Sequence, residues 1–341
     1  MNERIRVGLV GAGRIVQEGH LPAYLANRDV IDVTAVADPD QRSAAEAGDA
    51  LGIPPGYRYA GLSELLDRHA LDLVVVASPS HEHHRAVVSA LARHVGVICE
   101  KPLCLDASEL ASIKAAAGAR GFVAVLHNYL AKPGWRHVID LIREGRLGMP
   151  TMVRFEELSD DHWRLPGAPR SSWRQRAELG GGPLRDNLYH ALYLAEQVLG
   201  SPLYRASGQQ AALAHGYPAG DTAMIVARHL SGALSQATAA WCFPGLSRAT
   251  TEICGTKAAI RYDYWAEPGF YYLDDGSGPE QIAVPGWTAD LESGYIVGFR
   301  DIVRRFRSGL PPEHGVADAE RIMRVMAQVP LAARHEGGRN V

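Results

Sequence analysis

The chain has 341 residues, 47% of them hydrophobic and 21% charged, a composition typical of a globular protein long enough for two domains. Its formal net charge of −3, with arginines interspersed among acids, argues against nucleic acid or an anionic membrane as a partner, and no apolar run reaches the roughly 18 residues of a membrane-spanning helix. Four cysteines without a CxxC pair and an N-terminus without a signal-peptide pattern indicate a reducing compartment, so we expect a cytoplasmic protein.

The first predicted elements are a strand, a glycine turn and a helix. Residues 4–10 form a β-type apolar run, and an amphipathic segment follows over residues 15–27. Between them, Gly11 permits a tight turn, and Gly13 lets the backbone approach a pyrophosphate at the helix N-terminus. Val16 stands where the dinucleotide-binding pattern has its third glycine, which should shift the helix slightly. Such a turn also occurs for structural reasons, so alone it predicts a dinucleotide site weakly.

An acidic residue at the tip of the second predicted strand strengthens this prediction. Residues 30–37 form that strand, and Asp38 follows it. A carboxylate here can accept hydrogen bonds from the ribose hydroxyls of NAD and would repel the 2′-phosphate of NADP. Asp38 could also serve as an N-cap of the predicted helix over residues 40–51, and both roles can hold at once. We therefore predict NAD as the cofactor, with NADP left possible by the nearby Arg42.

The alternation of strands and helices continues to residue 126. Further strands are predicted over residues 71–77, 95–99 and 121–126, with helices over 82–93 and 107–120 between them. The strands are apolar throughout, as a parallel sheet buried on both faces requires. The fold class predicted for residues 1–126 is therefore a doubly wound, Rossmann-type parallel sheet.

Three histidines lie near the start of the helix predicted over residues 82–93. His81, His83 and His84 have no clear carboxylate or cysteine set beside them, so we predict no metal site. Helix-start histidines more often face solvent or contact a cofactor, and His83 and the preceding Ser78 are taken as cofactor contacts.

Lys101 is the most informative single residue. The chain has 35 basic residues but only four lysines. A lysine ammonium can be tuned to share or move a proton, whereas arginine stays charged. Lys101 follows Glu100 and precedes Pro102, directly after an apolar strand. That places it at the carboxyl end of the strand, where open α/β sheets bind ligands.

The remaining residues, 127–341, predict a second domain of the α+β class. A helix is predicted over residues 135–146. Strands are predicted over residues 151–158, 205–214, 222–230, 233–241 and 249–254, and helices over 184–199, 291–308 and 317–333. Ser231 and Gly232 form the turn of a hairpin. A large, open and mostly antiparallel sheet needs its exposed face covered, so we expect a homodimer or homotetramer.

A glycine run followed by an acid and a histidine marks the second domain. Residues 180–182 are all glycine, and Asp186 and His190 follow at a spacing that places both on one helical face. Such a pair can form a base and its orienting partner. On its own, the pair is more typical of a surface contact.

In this order and spacing, the glycine turn with Asp38, the EKP triplet at residues 100–102 and the GGGxxxDxxxH segment resemble the Gfo/Idh/MocA family of NAD(P)-dependent oxidoreductases. The resemblance implies a Rossmann domain, a C-terminal domain with an open sheet, and a sugar, amino sugar or cyclitol substrate. It makes Lys101, Asp186 and His190 the catalytic residues and makes the Lys101–Pro102 bond a candidate cis peptide. Leu188 and Tyr193 depart from the family pattern, where glycine and aspartate are common.

The predicted site residues fall into two further groups. The predicted cofactor contacts are Gly11, Gly13, Arg14, Ile15, Asp38, Ser78, His83, Glu100 and Lys101. The predicted substrate contacts are Asn128, Tyr129, Trp163, Arg164, Asp186 and His190. Trp163 and Arg164 belong to a loop, residues 159–176, whose tryptophans and charges suit a sugar as well as they suit an ordinary exposed loop.

The predicted activity is hydride transfer between a nicotinamide and a secondary alcohol or ketone of the substrate. His190 would act as general base, since an unperturbed histidine titrates near pH 6.5, and Lys101 would stabilise the alkoxide. The sequence leaves open whether Lys101 carries the proton instead. Two alternatives also remain, namely an NAD-dependent glycoside hydrolase that oxidises its sugar transiently, and a non-catalytic dinucleotide-binding sensor.

Overall fold

The computed structural model describes residues 4–160, 173–243, 247–263, 269–284 and 292–330. The chain divides into two compact units. The first contains residues 1–132 and 290–320, and the second contains residues 133–289 and 321–341. This division differs from the boundary predicted after residue 126, because a C-terminal segment returns to the first unit.

The first unit is built on a six-stranded parallel sheet. Its strands are β1 (Ile5–Val10), β2 (Ile31–Ala37), β3 (Arg58–Tyr59), β4 (Leu73–Val76), β5 (Gly96–Glu100) and β6 (Val123–Leu126). Its helices are α1 (Leu21–Ala26), α2 (Gln41–Leu51), α3 (Leu62–Arg68), α4 (Ser80–Leu91) and α5 (Ala107–Ala117), with α9 (Glu292–Arg307) from the C-terminal segment. The strand order β3-β2-β1-β4-β5-β6 confirms the predicted doubly wound sheet. The short β3 and α3 were not predicted.

The core of this unit explains why α9 belongs to it. All four residues of β4 are buried, as expected for a strand covered on both faces. The same cluster of buried side chains includes Tyr295, Phe299 and Val303 of α9. The Asn27 side chain also donates a hydrogen bond of 2.9 Å to the carbonyl of Ile296.

The second unit contains an eight-stranded sheet. Its strands are β7 (Pro150–Leu158), β8 (Leu203–Ala211), β9 (Thr222–His229), β10 (Leu234–Ala240), β11 (Arg248–Gly255), β12 (Ala259–Asp263), β13 (Phe270–Asp274) and β14 (Glu280–Ala283). Its helices are α6 (Pro133–Arg143), α7 (Pro183–Asp186) and α8 (Leu188–Leu199), and α10 (Val316–Met326) enters it after residue 320. The order is β14-β13-β12-β11-β7-β10-β9-β8. All pairs are antiparallel except β7 with β10, which confirms the predicted mostly antiparallel sheet.

One face of this sheet is covered within the unit. Alternate residues of β9 are buried, beginning with Ala223, and α8 packs against β7 and β10. The intervening residues Met224 and Val226 are exposed. The turn predicted at Ser231 and Gly232 joins β9 to β10, and Gly232 has a φ of +91°, a left-handed conformation suited to glycine.

Two predicted helices differ from the structure in detail. The helix predicted over residues 15–27 begins with a π-helical turn, Val16–His20, before α1. The helix predicted over residues 184–199 is interrupted at Asn187, which separates α7 from α8. The interruption lies between Asp186 and His190, the two residues whose spacing the prediction used.

Candidate active site

The carboxyl edge of the parallel sheet brings several predicted residues together. Gly11 follows β1 with a φ of +89°, and a Cβ atom there would lie 2.6 Å from the backbone nitrogen of Ser78. Any side chain would collide with the backbone that follows β4, so glycine is required for two independent reasons. A Cβ on Gly13, by contrast, would meet no atom within 4 Å, which leaves room for a ligand beside the turn.

Asp38 ties the end of β2 to this glycine turn. Its carboxylate accepts hydrogen bonds of 2.7 Å from the Ala12 N–H and 2.8 Å from the Asp40 N–H. The cap of α2 is Asp40, which accepts from the Arg42 N–H, so the alternative role of Asp38 as that cap is wrong. The carboxylate is therefore anchored at the strand tip, the position from which a ribose can be bound.

The two residues after Gly13 have different surroundings. Arg14 is exposed, and its Nε donates a hydrogen bond of 2.8 Å to Glu18 one turn later. Ile15 is partly buried against the core, and Val16 is fully buried in it. The structure therefore gives Val16 a packing role at the position where the dinucleotide pattern has a glycine.

Two buried polar atoms flank the strand that carries Lys101. Ser78 follows β4 and Asn128 follows β6, the strands on either side of β5. Within the described part of the chain, Ser78 Oγ and Asn128 Oδ1 have no hydrogen-bond partner. Buried polar groups in native proteins are nearly always satisfied, so these atoms fit a site that a polar ligand completes. The glycine turn, Asp38 and this pair together suit a bound dinucleotide.

Glu100 is held as a buried anion immediately before Lys101. Its Oε1 accepts hydrogen bonds from His20 Nε2 at 2.9 Å and from the Tyr295 hydroxyl at 2.7 Å. Burial raises the pKa of Glu100, but the hydrogen bonds and charge of His20, the Tyr295 hydroxyl and the charge of Lys101 outweigh it and leave that pKa below its ordinary value. The other oxygen accepts from the Lys101 backbone N–H at 3.2 Å. The negative charge thus lies against the backbone that carries the lysine.

His83 holds the segment on the other side of Lys101. It is 1% exposed, and its two ring nitrogens lie 2.7 Å from the carbonyl oxygens of Ser78 and Pro102. Burial lowers the pKa of His83, while the two carbonyl contacts and the charge of Glu100 act in the opposite direction. Both ring nitrogens of His83 thus contact backbone carbonyls, and the buried ring links the segments that contain Ser78 and Pro102.

Lys101 itself lies at the carboxyl end of β5, as predicted. Its peptide bond to Pro102 is cis, which confirms the expectation drawn from the family resemblance.

Tyr129, in the 3₁₀ turn after β6, has the Lys132 ammonium 5.5 Å from its ring centroid.

In the second unit, the glycine run forms a closely packed turn. Gly180 and Gly182 have φ values of +84° and +95°. A Cβ on Gly181 would lie 2.2 Å from the carbonyl oxygen of Arg174, and one on Gly182 would lie 2.3 Å from that of Ala219. The run is therefore glycine because two backbone segments approach it, and this fixes where α7 begins.

Asp186 and His190 contact different side chains. The Arg174 guanidinium Nε donates a hydrogen bond of 2.9 Å to Asp186 Oδ2, and the two side chains form an ion pair. His190 Nδ1 lies 2.6 Å from the hydroxyl of Tyr193. Tyr193 stands where the family often has aspartate, so a hydroxyl here contacts the imidazole nitrogen.

Asn187 is a residue to which the sequence assigned no role. Its Nδ2 donates a hydrogen bond of 2.6 Å to Glu157, and its Oδ1 accepts one of 2.8 Å from the indole of Trp241. The sequence likewise assigned no chemical role to His20 or Tyr295. No local pattern identifies them, because their partners lie tens to hundreds of residues away.

The remaining predictions concern the loop over residues 159–176 and metal binding. Trp163 and Arg164 lie outside the described residues. Of the loop's described residues, Arg174 stacks 4.5 Å from the ring of Trp173 and pairs with Asp186. Across the described ranges, no group of three or more His, Cys, Asp or Glu side chains is arranged to hold a metal ion, and no helix there is long and apolar enough to cross a membrane.

Family comparisons agree with this architecture. Residues 5–128 match the model described as "Oxidoreductase family, NAD-binding Rossmann fold" of the GFO/IDH/MocA group, and residues 135–261 match the GFO/IDH/MocA C-terminal domain. Together the two matches cover most of the chain.

Similar curated proteins and solved structures are oxidoreductases. A dTDP-3,4-didehydro-2,6-dideoxy-alpha-D-glucose 3-reductase from Streptomyces antibioticus is 33% identical over 60% of this chain and 59% of its own length. An inositol 2-dehydrogenase from Leifsonia xyli is 39% identical over 31% of this chain and 30% of its own length. The chain thus matches less than two thirds of either relative. Levoglucosan dehydrogenase in complex with NADH has the same fold, with a TM-score of 0.85 over 96% of both chains at 20% identity.

Proposed function

This chain belongs to the Gfo/Idh/MocA family of oxidoreductases, and we propose that it transfers a hydride between NAD and a ring carbon of a sugar or cyclitol. The observation that carries the proposal is Lys101 at the carboxyl edge of an NAD-binding Rossmann sheet, flanked by polar atoms of Ser78 and Asn128 that have no partner among the described residues. The substrate class is supported by the relatives, which are named as a deoxysugar reductase and an inositol dehydrogenase.

NAD supplies the redox chemistry by accepting or giving the hydride. Gly11 and Gly13 would hold the pyrophosphate at the turn, and Asp38 would accept hydrogen bonds from the ribose. Because Asp38 is anchored at the strand tip by two backbone N–H groups, its carboxylate would disfavour the extra phosphate of NADP beside the ribose. We therefore propose NAD in preference to NADP.

Lys101 and His190 would act on the reacting oxygen of the substrate. The Lys101 ammonium would donate a hydrogen bond to that oxygen and stabilise the alkoxide as the hydride leaves. His190 would take the hydroxyl proton in oxidation and return it in reduction. Tyr193 would set the orientation of the imidazole through Nδ1. Asp186, held by Arg174, would accept a hydrogen bond from a neighbouring hydroxyl of the substrate.

The test is turnover by the purified protein. Hexoses, amino sugars, cyclitols and nucleotide-linked sugars are incubated with NAD or NADP, and the corresponding keto compounds with NADH, while the reduced nicotinamide is followed by absorbance. We expect stoichiometric conversion of cofactor with at least one polyol or keto sugar. Release of free sugar from a glycoside with no net NADH would support the hydrolase alternative instead. Tight NAD binding with no turnover of any compound would support the sensor.

We also propose that the exposed face of the eight-stranded sheet packs against a second copy of the chain. Met152, Met224, Val226 and Leu234 lie on the neighbouring strands β7, β9 and β10 and are 41–53% exposed. Several large apolar side chains exposed on one face of a sheet are typical of an interface. Sedimentation should show a dimer or tetramer, and a charged residue at Met224 should shift it toward monomer. A wild-type monomer at micromolar concentration would contradict this.

A further inference from the structure

Asn187 occupies the interruption between α7 and α8, directly after Asp186 and three residues before His190. Its backbone carbonyl accepts the His190 N–H at 3.0 Å. The residue therefore stands at the start of the turn that carries the proposed general base.

The side chain of Asn187 is bound at both ends of its amide. Trp241 Nε1 donates to Oδ1 at 2.8 Å, and Nδ2 donates to Glu157 Oε1 at 2.6 Å. Trp241 is fully buried and Asn187 is 7% exposed. An indole N–H can only donate and an ionised carboxylate can only accept, so the two partners fix which end of the amide faces which.

The two partners lie at the ends of two neighbouring parallel strands. Glu157 is near the end of β7, and Trp241 follows the end of β10. Within the register of these strands, Glu157 pairs with Ala239 and Leu158 with Ala240. One amide thus joins the ends of two strands to the break in the helix.

We propose that Asn187 is a positioning residue, which sets the place of Asp186 and His190 relative to the sheet through its hydrogen bonds to Glu157 and Trp241. It acts through those two residues and does not touch the substrate. The proposal rests on the proposed function, because positioning is measured by its effect on turnover.

The test uses two substitutions. The first places a second carboxylate beside Glu157, and the other removes the repulsion that results. Asn187→Asp keeps the acceptor for Trp241 but places a second carboxylate against Glu157. The repulsion should displace the helix break and lower kcat by about 10²-fold at neutral and higher pH, as a misplacement of about 1 Å can do. The affinity for NAD should not change, because every predicted NAD contact lies in the first unit.

The pH dependence of this variant has a definite sign. Two adjacent carboxylates raise one pKa of the pair, so a shared proton restores the hydrogen bond as the pH falls. The activity of Asn187→Asp relative to the double variant Asn187→Asp, Glu157→Gln should therefore rise toward acid pH. At neutral pH the double variant should recover to the level of Glu157→Gln alone, since the amide introduced at position 157 can donate a hydrogen bond to the carboxylate introduced at position 187.

Three results would overturn the proposal: full activity of folded Asn187→Asp across the pH range, a double variant no better than Asn187→Asp, or an equal loss of NAD affinity. If circular dichroism shows that Asn187→Asp does not fold, Asn187→Ala replaces it. That variant loses both hydrogen bonds and should lower kcat with unchanged NAD affinity, and a wild-type kcat would overturn the proposal.

A second readout separates this inference from the proposed function. If the wild type turns over no substrate, the proposed function fails, and the indole N–H signal of Trp241 in a ¹H–¹⁵N spectrum tests the contact instead. The signal is assigned with Trp241→Phe. It should shift between the wild type and Asn187→Asp at neutral pH and return in the double variant. An unshifted signal would show that Asn187 does not hold the break.

Discussion

The two units hold their proposed catalytic residues in different ways. Lys101 lies at a strand end, between a buried anion at Glu100 and a backbone carbonyl bound by His83. Asp186 and His190 lie on either side of a helix break that side-chain hydrogen bonds hold to the sheet. In the first unit the topology of the sheet places the residue, and in the second we propose that polar contacts of Asn187 add to the packing of α8 against β7 and β10. Substitution of a catalytic residue should therefore have a different effect from substitution of a residue that holds it in place.

The largest expected effect is at Lys101. Lys101→Ala should lower kcat by about 10²- to 10³-fold if the ammonium stabilises alkoxide charge, while NAD binding stays nearly intact. Lys101→Arg keeps the charge but offers a larger planar group that cannot release its proton. Lys114→Ala is the control, since that lysine makes an exposed ion pair with Glu320 in the same unit. Wild-type turnover by Lys101→Arg would remove the catalytic assignment of the lysine.

The second-largest effect is expected at His190, where loss of the imidazole can be compared with loss of the hydroxyl that contacts it. His190→Ala is expected to lower kcat by about 10²-fold and to remove one limb of the pH–rate profile, because general base catalysis is lost. Tyr193→Phe keeps the imidazole but removes the hydroxyl 2.6 Å from Nδ1, so its loss of kcat should be smaller. An unaltered pH–rate profile in His190→Ala would move the proton transfer to Lys101.

The ionised Glu100, which precedes Lys101, should contribute measurably to the free energy of unfolding. Tyr295→Phe removes a hydrogen bond to the ionised Glu100 and should lower the free energy of unfolding by about 1.5–3 kcal/mol. Since the pKa of Glu100 is lowered in the folded protein, its stabilisation is present above the unfolded pKa and is lost as the pH falls through the folded value. The difference between Tyr295→Phe and wild type should therefore shrink in acid.

Denaturant unfolding at several pH values measures this difference. Tyr24→Phe is a matched control, because its buried hydroxyl lies 3.4 Å from His20 and makes a weaker contact. Equal losses in the two variants at every pH would argue against a charged Glu100.

The smallest expected effect concerns the choice of cofactor. NAD should bind more tightly than NADP. Asp38→Ala should reduce the ratio of the two dissociation constants by about tenfold, or about 1.4 kcal/mol. Asp40→Ala is the control, since it removes the cap of α2 in the same loop without removing the strand-tip charge. Titration of both cofactors decides the matter, and a wild type that prefers NADP would refute the role given to Asp38.

Much of the first unit could be predicted because its signals are local. The apolar strands, the glycine turn and the position of Lys101 each depend on a few neighbouring residues and on the general rule for strand ends. The short β3 and α3 carry too few residues for a clear period, and β12 to β14 of the second sheet were also not predicted. The return of α9 to the first unit could not be predicted, because amphipathicity shows that a helix is buried but not against what.

The sequence by itself therefore determined the fold class, the family and the strand end at which Lys101 lies. Only the tertiary structure decided that His20 and Tyr295 hold Glu100, that His83 bridges Ser78 and Pro102, and that Asn187 joins Glu157 to Trp241. The reason is physical. Periodicity and turn chemistry follow from bonds between near neighbours, whereas a hydrogen bond between Tyr295 and Glu100, 195 positions apart in the chain, exists only once the residues between them have folded.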